Sequence, residues 1–211
     1  LAVPYVRTFT LTNVARLTLE TRSNNTAAAA TPISATRTRT PDGSLSAGSS
    51  FGVGVNPYFI ATGQFNNDTN LDLVTANISS DNISLLLGRG DGTFLPATNF
   101  PAGSGPISLV VGDVNNDGKP DVLVANYYGS TVSVLLGNGD GTFRPPTNYN
   151  VGANPRSIKL GDFNGDGRLD IVTANSGSTT VSVLLGNNDG TFQPRTDYPV
   201  GSTPGSVTHC D

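Results

Sequence analysis

A period of 49 residues constrains this chain more than any other feature. The segment Gly63-Gln-Phe-Asn-Asn-Asp-Thr-Asn-Leu-Asp72 returns as Gly112-Asp-Val-Asn-Asn-Asp-Gly-Lys-Pro-Asp121 and again as Gly161-Asp-Phe-Asn-Gly-Asp-Gly-Arg-Leu-Asp170. A second landmark keeps the same step: Gly88-Arg-Gly-Asp-Gly-Thr-Phe94, Gly137-Asn-Gly-Asp-Gly-Thr-Phe143 and Gly186-Asn-Asn-Asp-Gly-Thr-Phe192. A third has four copies, Phe51/Gly54/Pro57, Phe100/Gly103/Pro106, Tyr149/Gly152/Pro155 and Tyr198/Gly201/Pro204. Three landmarks in one register define a repeat protein, whose unit buries its apolar face only by stacking on its neighbours.

Each unit reads as four short strands. In the second copy, Ile107 to Val111 is an apolar run after a Pro turn, and Asp113 to Asp121 is an Asp-rich loop. Val122 to Ala125 and Thr131 to Leu136 follow, separated by the polar turn Tyr128-Gly129-Ser130. Thr142 to Tyr149 makes the fourth strand, which Pro145 and Pro146 mark as an edge. Four strands in such a length is the size of a propeller blade, whereas the coil of a β-solenoid is shorter and needs no such turns. The expected fold is all-β: propeller-type blades of four antiparallel strands, about three complete, with partial units at the ends. Composition agrees, because 25 Gly and 14 Pro among 211 residues work against long helices. No window reaches the roughly 18 apolar residues that a membrane-crossing helix needs.

Two parts are expected. Residues 1–50 are Thr-rich and read as an arm or a degenerate partial blade, with Leu11, Asn13, Ala15, Leu17 and Leu19 alternating as on a strand. Residues 51–211 are the repeats, with cores at 63–111, 112–160 and 161–209. Asp42-Gly43-Ser44-Leu45 falls in register with the Asp-Gly-Thr-Phe turns, and Asp211 with Asp162, so the chain begins and ends partway through a unit. Closure within one chain, closure between chains, and membership of a larger propeller all remain open at this level. A first residue other than Met fits a processed or partial chain.

The Asp-rich loops carry the chemistry. Asp113, Asn115, Asp117 and Asp121 stand at loop positions 1, 3, 5 and 9, as do Asp162, Asn164, Asp166 and Asp170. Alternate residues of a curled loop turn inward, Gly118 and Gly167 permit the turn at position 6, and the carbonyls of Lys119 and Arg168 add an oxygen at position 7. Three carboxylates, an amide and a carbonyl are hard oxygen donors, which suit Ca²⁺. These are not EF-hand loops, since position 12 is Val124 or Thr173 and strands flank them. In the first copy Gln64 and Thr69 replace the first Asp and the Gly, so the set Gln64, Asn66, Asp68 and Asp72 is expected to be a weak or empty third site.

A unit of this length, with a D-x-N-x-D-G-x-x-D loop between two apolar strands, resembles the FG-GAP/VCBS repeat family. The resemblance covers residues 51–211. That family includes blades of integrin α-subunit propellers, certain fungal lectins and many bacterial surface proteins. The resemblance implies a β-propeller fold, Ca²⁺ in the loops and an extracellular role in adhesion or carbohydrate binding. Family propellers commonly close with seven blades, about twice what this chain holds.

Charge and the remaining motifs narrow the function. A net charge of −4 without a basic stripe argues against nucleic acid. Of 16 acidic residues only Glu20 is Glu, and Asp used almost alone points to turns and metal loops. The lone Cys210 excludes an internal disulfide framework and a Cys-based zinc site. Sequons at Asn24, Asn67, Asn77 and Asn82 give weak support for secretion and glycosylation. Arg89-Gly90-Asp91 is accounted for by its turn, and Gly48-Ser49-Ser50-Phe51-Gly52 lacks the strand-to-helix setting of a hydrolase elbow. Tyr127 and Tyr128 suit packing better than sugar stacking.

The first 50 residues carry five Arg against Glu20 and Asp42, a net +3; the remainder carries a net −7. The expectation is a secreted or cell-surface, calcium-stabilised protein with a structural or adhesive role and no catalysis. Its partners are copies of itself, joined head to tail into fibres, or extracellular glycans and proteins. A carbohydrate-binding propeller module is the alternative.

Overall fold

The computed structural model describes residues 34–35 and 49–208. In chain order the strands are β1 (Ser34–Ala35), β2 (Ser49–Ser50), β3 (Pro57–Gly63), β4 (Asp72–Asn77), β5 (Asn82–Leu86), β6 (Thr98–Pro101) and β7 (Pro106–Gly112). They continue as β8 (Asp121–Asn126), β9 (Thr131–Leu135), β10 (Thr147–Asn150), β11 (Pro155–Gly161), β12 (Asp170–Asn175), β13 (Thr180–Leu184) and β14 (Thr196–Pro199). β3 to β6, β7 to β10 and β11 to β14 form three four-stranded antiparallel meanders. The first strands β3, β7 and β11 lie side by side, so the sheets radiate like propeller blades, with the fourth strands outermost and exposed.

The expected strands are present, with one shortened. Pro145 and Pro146 have no N–H to give a ladder, so β10 begins after them; ahead of them Phe143 bridges to Gly137 and the Arg144 N–H donates to the Leu136 carbonyl at 2.8 Å. Each sheet starts at the recurring Pro, six residues ahead of the boundaries drawn at Gly63, Gly112 and Gly161. Within the segment read as an arm, β1 pairs antiparallel with β2. These strands stand 49 residues before parts of β5 and β6, the third and fourth strands of the first blade. The other expectations for residues 1–33, 36–48 and 209–211, including Leu11 to Leu19, Asn24 and Cys210, lie outside the described residues.

Alternation of side chains across a strand explains the unbroken apolar runs in the middle blade. One face, with Leu109, Val122, Val124 and Leu135, packs on Val74, Ala76, Ile83 and Leu85 of the first blade. The other, with Leu123, Ala125, Val132 and Val134, packs on Ile158, Ile171 and Leu184 of the third. Each fully buried side chain of this kind contributes about 1.5–3 kcal/mol. The Phe that ends each Asp-Gly-Thr-Phe turn closes the joint. Phe143 meets Phe100 edge-on at 5.0 Å and Phe65 at 5.5 Å, and Phe192 meets Tyr149 at 5.6 Å.

A buried polar ladder crosses each blade at the end opposite the Asp loops. Asn77 Nδ2 donates to Ser84 Oγ (2.8 Å), which donates to Asn99 Oδ1 (2.7 Å) and accepts from Gly54 N–H (2.9 Å). Asn126/Ser133/Asn148 and Asn175/Ser182/Asp197 repeat it. The Thr75 and Thr173 hydroxyls satisfy Asn77 Oδ1 and Asn175 Oδ1 at 3.0 and 2.9 Å. Val124 occupies that position in the middle blade, and Asn126 Oδ1 is buried there without a partner. Supplying the missing donor with Val124→Thr is expected to raise stability by about 1 kcal/mol, read as a higher denaturant midpoint.

Candidate metal centre

Each Asp loop turns sharply between the first and second strands of its blade. In the second loop, Asn116 and Gly118 take left-handed φ values of 57° and 78°; in the third, Gly165 and Gly167 take 77° and 79°. The first loop keeps this path although position 6 is Thr69, whose φ of 79° is strained for a β-branched residue.

The inward side chains close on their own backbone. Asp113 Oδ2 accepts the Gly118 N–H at 2.8 Å, and Asp162 Oδ2 accepts that of Gly167 at 2.8 Å. Asn115 Oδ1 and Asn164 Oδ1 accept from Asp117 N–H and Asp166 N–H (3.1 and 3.0 Å), and their amide nitrogens donate to those carboxylates. Asp117 Oδ1 and Asp166 Oδ1 cap the N–H groups of Lys119 and Arg168 at 3.0 and 2.9 Å. Donation by Gly167 N–H, ahead of the other loop N–H groups, holds the Asp162 carboxyl below the usual range. Among the described residues no three carboxylate, imidazole or thiolate groups stand together in metal-binding geometry. Positions 1, 3 and 5 therefore curl inward as the spacing predicts, onto N–H groups of the loop.

Position 9 does something the spacing does not reveal. Asp72, Asp121 and Asp170 are fully buried. Asp121 Oδ2 accepts from Val114 N–H (2.9 Å), and its Oδ1 accepts from Gly137 N–H (2.8 Å). Asp72 does the same with Phe65 and Gly88, and Asp170 with Phe163 and Gly186. Each is a staple joining the metal-type loop to the turn between the third and fourth strands. Burial pushes the Asp121 carboxyl above the usual range against these two hydrogen bonds, and the charges of Asp117 and Asp113 push it further. A carboxylate has about four acceptor positions, and the staple uses two of them, so Asp121 keeps capacity for a cation. The Asp113, Asp117 and Asp121 carboxylates and the Asn115 amide are hard oxygen donors of the kind a divalent cation such as Ca²⁺ takes, and a cation would draw the first two towards the third.

The first loop is built differently. Gln64 Nε2 donates to the Thr69 carbonyl at 3.2 Å, where Asp113 and Asp162 accept. Asn66 Oδ1 is buried without a partner. Asp68 lies below the usual carboxylate range because Asn70 N–H and the Asn66 amide donate to it. A donor at position 1 disfavours a cation. A cleft of about 730 Å³ opens between this loop and the second, lined by Gln64, Asn67, Asp113, Lys119 and Asn138 among others.

The remaining motifs sort by burial. Asn77 is fully buried and spends its amide on Asn82 and Ser84, so a glycan there is incompatible with the fold. Asn82 accepts from Asn77 and Ser80, and the Ser84 of its sequon is fully buried. Asn67 is exposed at a loop tip. Asp91, Asp140 and Asp189 each cap the Thr two residues on, through its N–H and hydroxyl, which lowers all three carboxyls. Arg89-Gly90-Asp91 thus occupies the turn common to all blades. Tyr128 is 65% exposed, edge-on to Tyr127 and seated over Gly105.

The model of the FG-GAP-like repeat matches three overlapping stretches, residues 64–124, 113–173 and 162–210. The chain belongs to the FG-GAP-like repeat family. FG-GAP-like repeats 64–124 and 113–173 hold the first and second staples and their turns within one match. Similar solved structures include a proposed 6-phosphogluconolactonase from Bacteroides fragilis NCTC 9343 (TM-score 0.61, 16% identity, 82% of this chain and 46% of that one). A periplasmic gluconolactonase from Pseudomonas aeruginosa gives TM-score 0.54 at 18% identity, covering 75% of this chain and 43% of that one. BBS1N, solved in complex with ARL6DN, gives 0.52 at 15%, covering 74% and 47%. At such identities the likeness concerns the fold alone. The FG-GAP-like chain spans less than half the length of each of these structures. No curated protein matches it in sequence.

Proposed function

We propose that this FG-GAP-like chain is a calcium-stabilised, non-catalytic structural and adhesive module that works outside the cell and associates with copies of itself. The observation that carries the calcium reading is geometric: Asp113 Oδ1 and Asn115 Oδ1 converge on the Asp117 N–H at 3.2 and 3.1 Å, which gathers oxygen donors within one short loop. The third loop repeats this with Asp162 and Asn164 on the Asp166 N–H at 3.1 and 3.0 Å. Shallow, exposed loops of this kind match the weak, roughly 10⁻⁴–10⁻³ M sites of extracellular modules. The non-catalytic reading rests on where the carboxylates are spent: in loops and turns they cap backbone N–H groups. The exposed Asn67 sequon supports an extracellular setting.

Calcium titration calorimetry tests the sites. Asp117→Ala and Asp166→Ala are each expected to remove about one bound ion, leaving the position-9 staples intact. Stoichiometry unchanged from the parent would overturn the assignment. The cleft between the first two loops, with amide and charged side chains at its rim, favours a second reading, a carbohydrate-binding module; glycan retention that persists when self-association is abolished distinguishes it.

A further inference from the structure

Asn56, Gly105 and Asn154 hold one register position, in the link that leads into each blade, and all three have left-handed φ. Each lies against the turn between the second and third strands of its own blade. Asn56 Nδ2 donates to Ser79 Oγ at 2.7 Å, and the Asn154 side chain fills the space that a Cβ on Gly177 would take. In the middle blade that side chain is missing. Tyr128 stands where the others have Ser79 and Gly177, and a Cβ on Gly105 would come within 2.4 Å of its Cδ2. Gly105 and Tyr128 are a matched pair of departures from the repeat.

The third departure is a charge. Gly105 N–H donates to Asp81 Oδ1 of the preceding blade at 2.7 Å, and in the same register Asn154 N–H donates to Ser130 Oγ at 3.3 Å. The Asp81 and Ser130 carbonyls also match, accepting from Ala102 N–H and Val151 N–H at 3.0 Å. A hydroxyl serves the second joint, so the first has no structural need of a carboxylate. Asp81 is exposed, and among the described residues it forms no ion pair and its Oδ2 has no donor. Tyr128 is 65% exposed, and among the described residues its hydroxyl makes no hydrogen bond.

From this juxtaposition we propose that Asp81 and Tyr128, which flank Gly105, bind a cationic side chain of a partner protein, arginine by preference. The ring face and the free carboxylate oxygen are both negative, and a cation over a tyrosine ring is held by its quadrupole. A guanidinium is flat, stacks on aromatic rings and turns its N–H edge to a carboxylate, which suits a ring and an acid one residue apart. A sugar ring needs several placed polar groups to fix its orientation, whereas the placed group beside this ring is a carboxylate. Residues 51–211 carry a net −7, which draws basic partners to this surface. The site is also held in shape. Tyr127 N–H donates to the Gly105 carbonyl at 2.8 Å, Gly129 N–H to the Ser104 carbonyl at 2.9 Å, and Asn154 Nδ2 to the Tyr127 carbonyl at 3.1 Å. Such preorganisation lowers the cost of binding. Neither the Asp loops, at the other end of the blades, nor self-association enters this reading.

Heteronuclear NMR of the full chain in millimolar calcium tests this, with N-acetyl-arginine amide as the probe. Saturable shifts are expected at the amides of Asp81, Gly105 and Tyr128, in the millimolar range and weakening as salt is raised. N-acetyl-citrulline amide, which keeps the shape and loses the charge, is expected to leave these amides in place. Asp81→Ser installs the residue of the second joint, and Gly105→Asn with Tyr128→Ser installs the pair of the first, so each variant uses a set that the fold already accepts. Asp81→Ser is expected to weaken binding about two- to fivefold, and the paired variant to remove the saturable shifts while the rest of the spectrum stays. Arginine shifts confined to the Asp loops would overturn the proposal, as would citrulline binding equal to arginine or a paired variant that still binds. Glucose, galactose, mannose or N-acetylglucosamine moving these amides where arginine does not would overturn it in favour of a sugar site.

Discussion

Asp121→Ala is expected to lower stability by about 3–5 kcal/mol, with the middle blade losing its protected amides first. The side chain is fully buried and accepts from both Val114 N–H and Gly137 N–H. Truncation strands both donors where water does not reach, at about 1–3 kcal/mol each. It also unties the metal-type loop from the following turn. That turn has no slack, since a Cβ on Gly137 would overlap the Pro120 carbonyl. Asp121→Asn does not rescue the site: the amide has one acceptor oxygen for two N–H donors, and its nitrogen then faces a donor. The result differs in kind from Asp117→Ala, which removes a loop cap on an exposed carboxylate and costs a bound ion with little loss of fold. Denaturant unfolding with hydrogen exchange checks it. A loss under 1 kcal/mol for Asp121→Ala would show that the staple is not a structural element.

How far the residues disclose this molecule depends on whether the partner of a residue is local. Strand positions follow from alternation and the recurring Pro and Gly, which act over a few residues, and these expectations agree with the sheets within one or two residues, β10 apart. β10 differs because the paired prolines, which lack N–H groups, delay its ladder. Position 9 of the loop reads as a ligand from the sequence, because the spacing D-x-N-x-D-G-x-x-D shows carboxylates near one another and says nothing about burial. A trace of the staple lies in the shared step: the Gly of each later turn, Gly88, Gly137 and Gly186, stands 16 residues beyond Asp72, Asp121 and Asp170. Asn77 and Asn82 satisfy a three-residue sequon rule while their side chains serve a ladder between strands. Gly54, Gly103 and Gly152 marked a register, but the reason they are glycine lies across the joint, beyond any local pattern.

Gly152→Ala follows from that joint, and its effect is expected to be regional, costing about 1–3 kcal/mol as overpacking in a rigid site does. The added methyl would overlap Asn175, whose side chain cannot withdraw: Thr173 donates to its oxygen at 2.9 Å while its nitrogen serves Ser182 and Thr180 at 2.9 and 3.2 Å. Relief requires either breaking this fully buried set or moving the chain that links β10 to β11. Both weaken the seat of Phe192 against Tyr149, which closes the joint between the second and third blades. In a stack where each unit leans on its neighbours, stability is a sum of unit and interface contributions. The third blade, residues 155–199, should then open ahead of the other two. Hydrogen exchange reads this directly: amides of β12 and β13 lose protection while those of β4 and β5 keep theirs. Gly201→Ala is the matched control, because nothing stands within 4 Å of its added methyl, and it should leave chain stability unchanged. Equal effects of the two substitutions would mean that the glycines serve the local turn and not the close approach of the next blade.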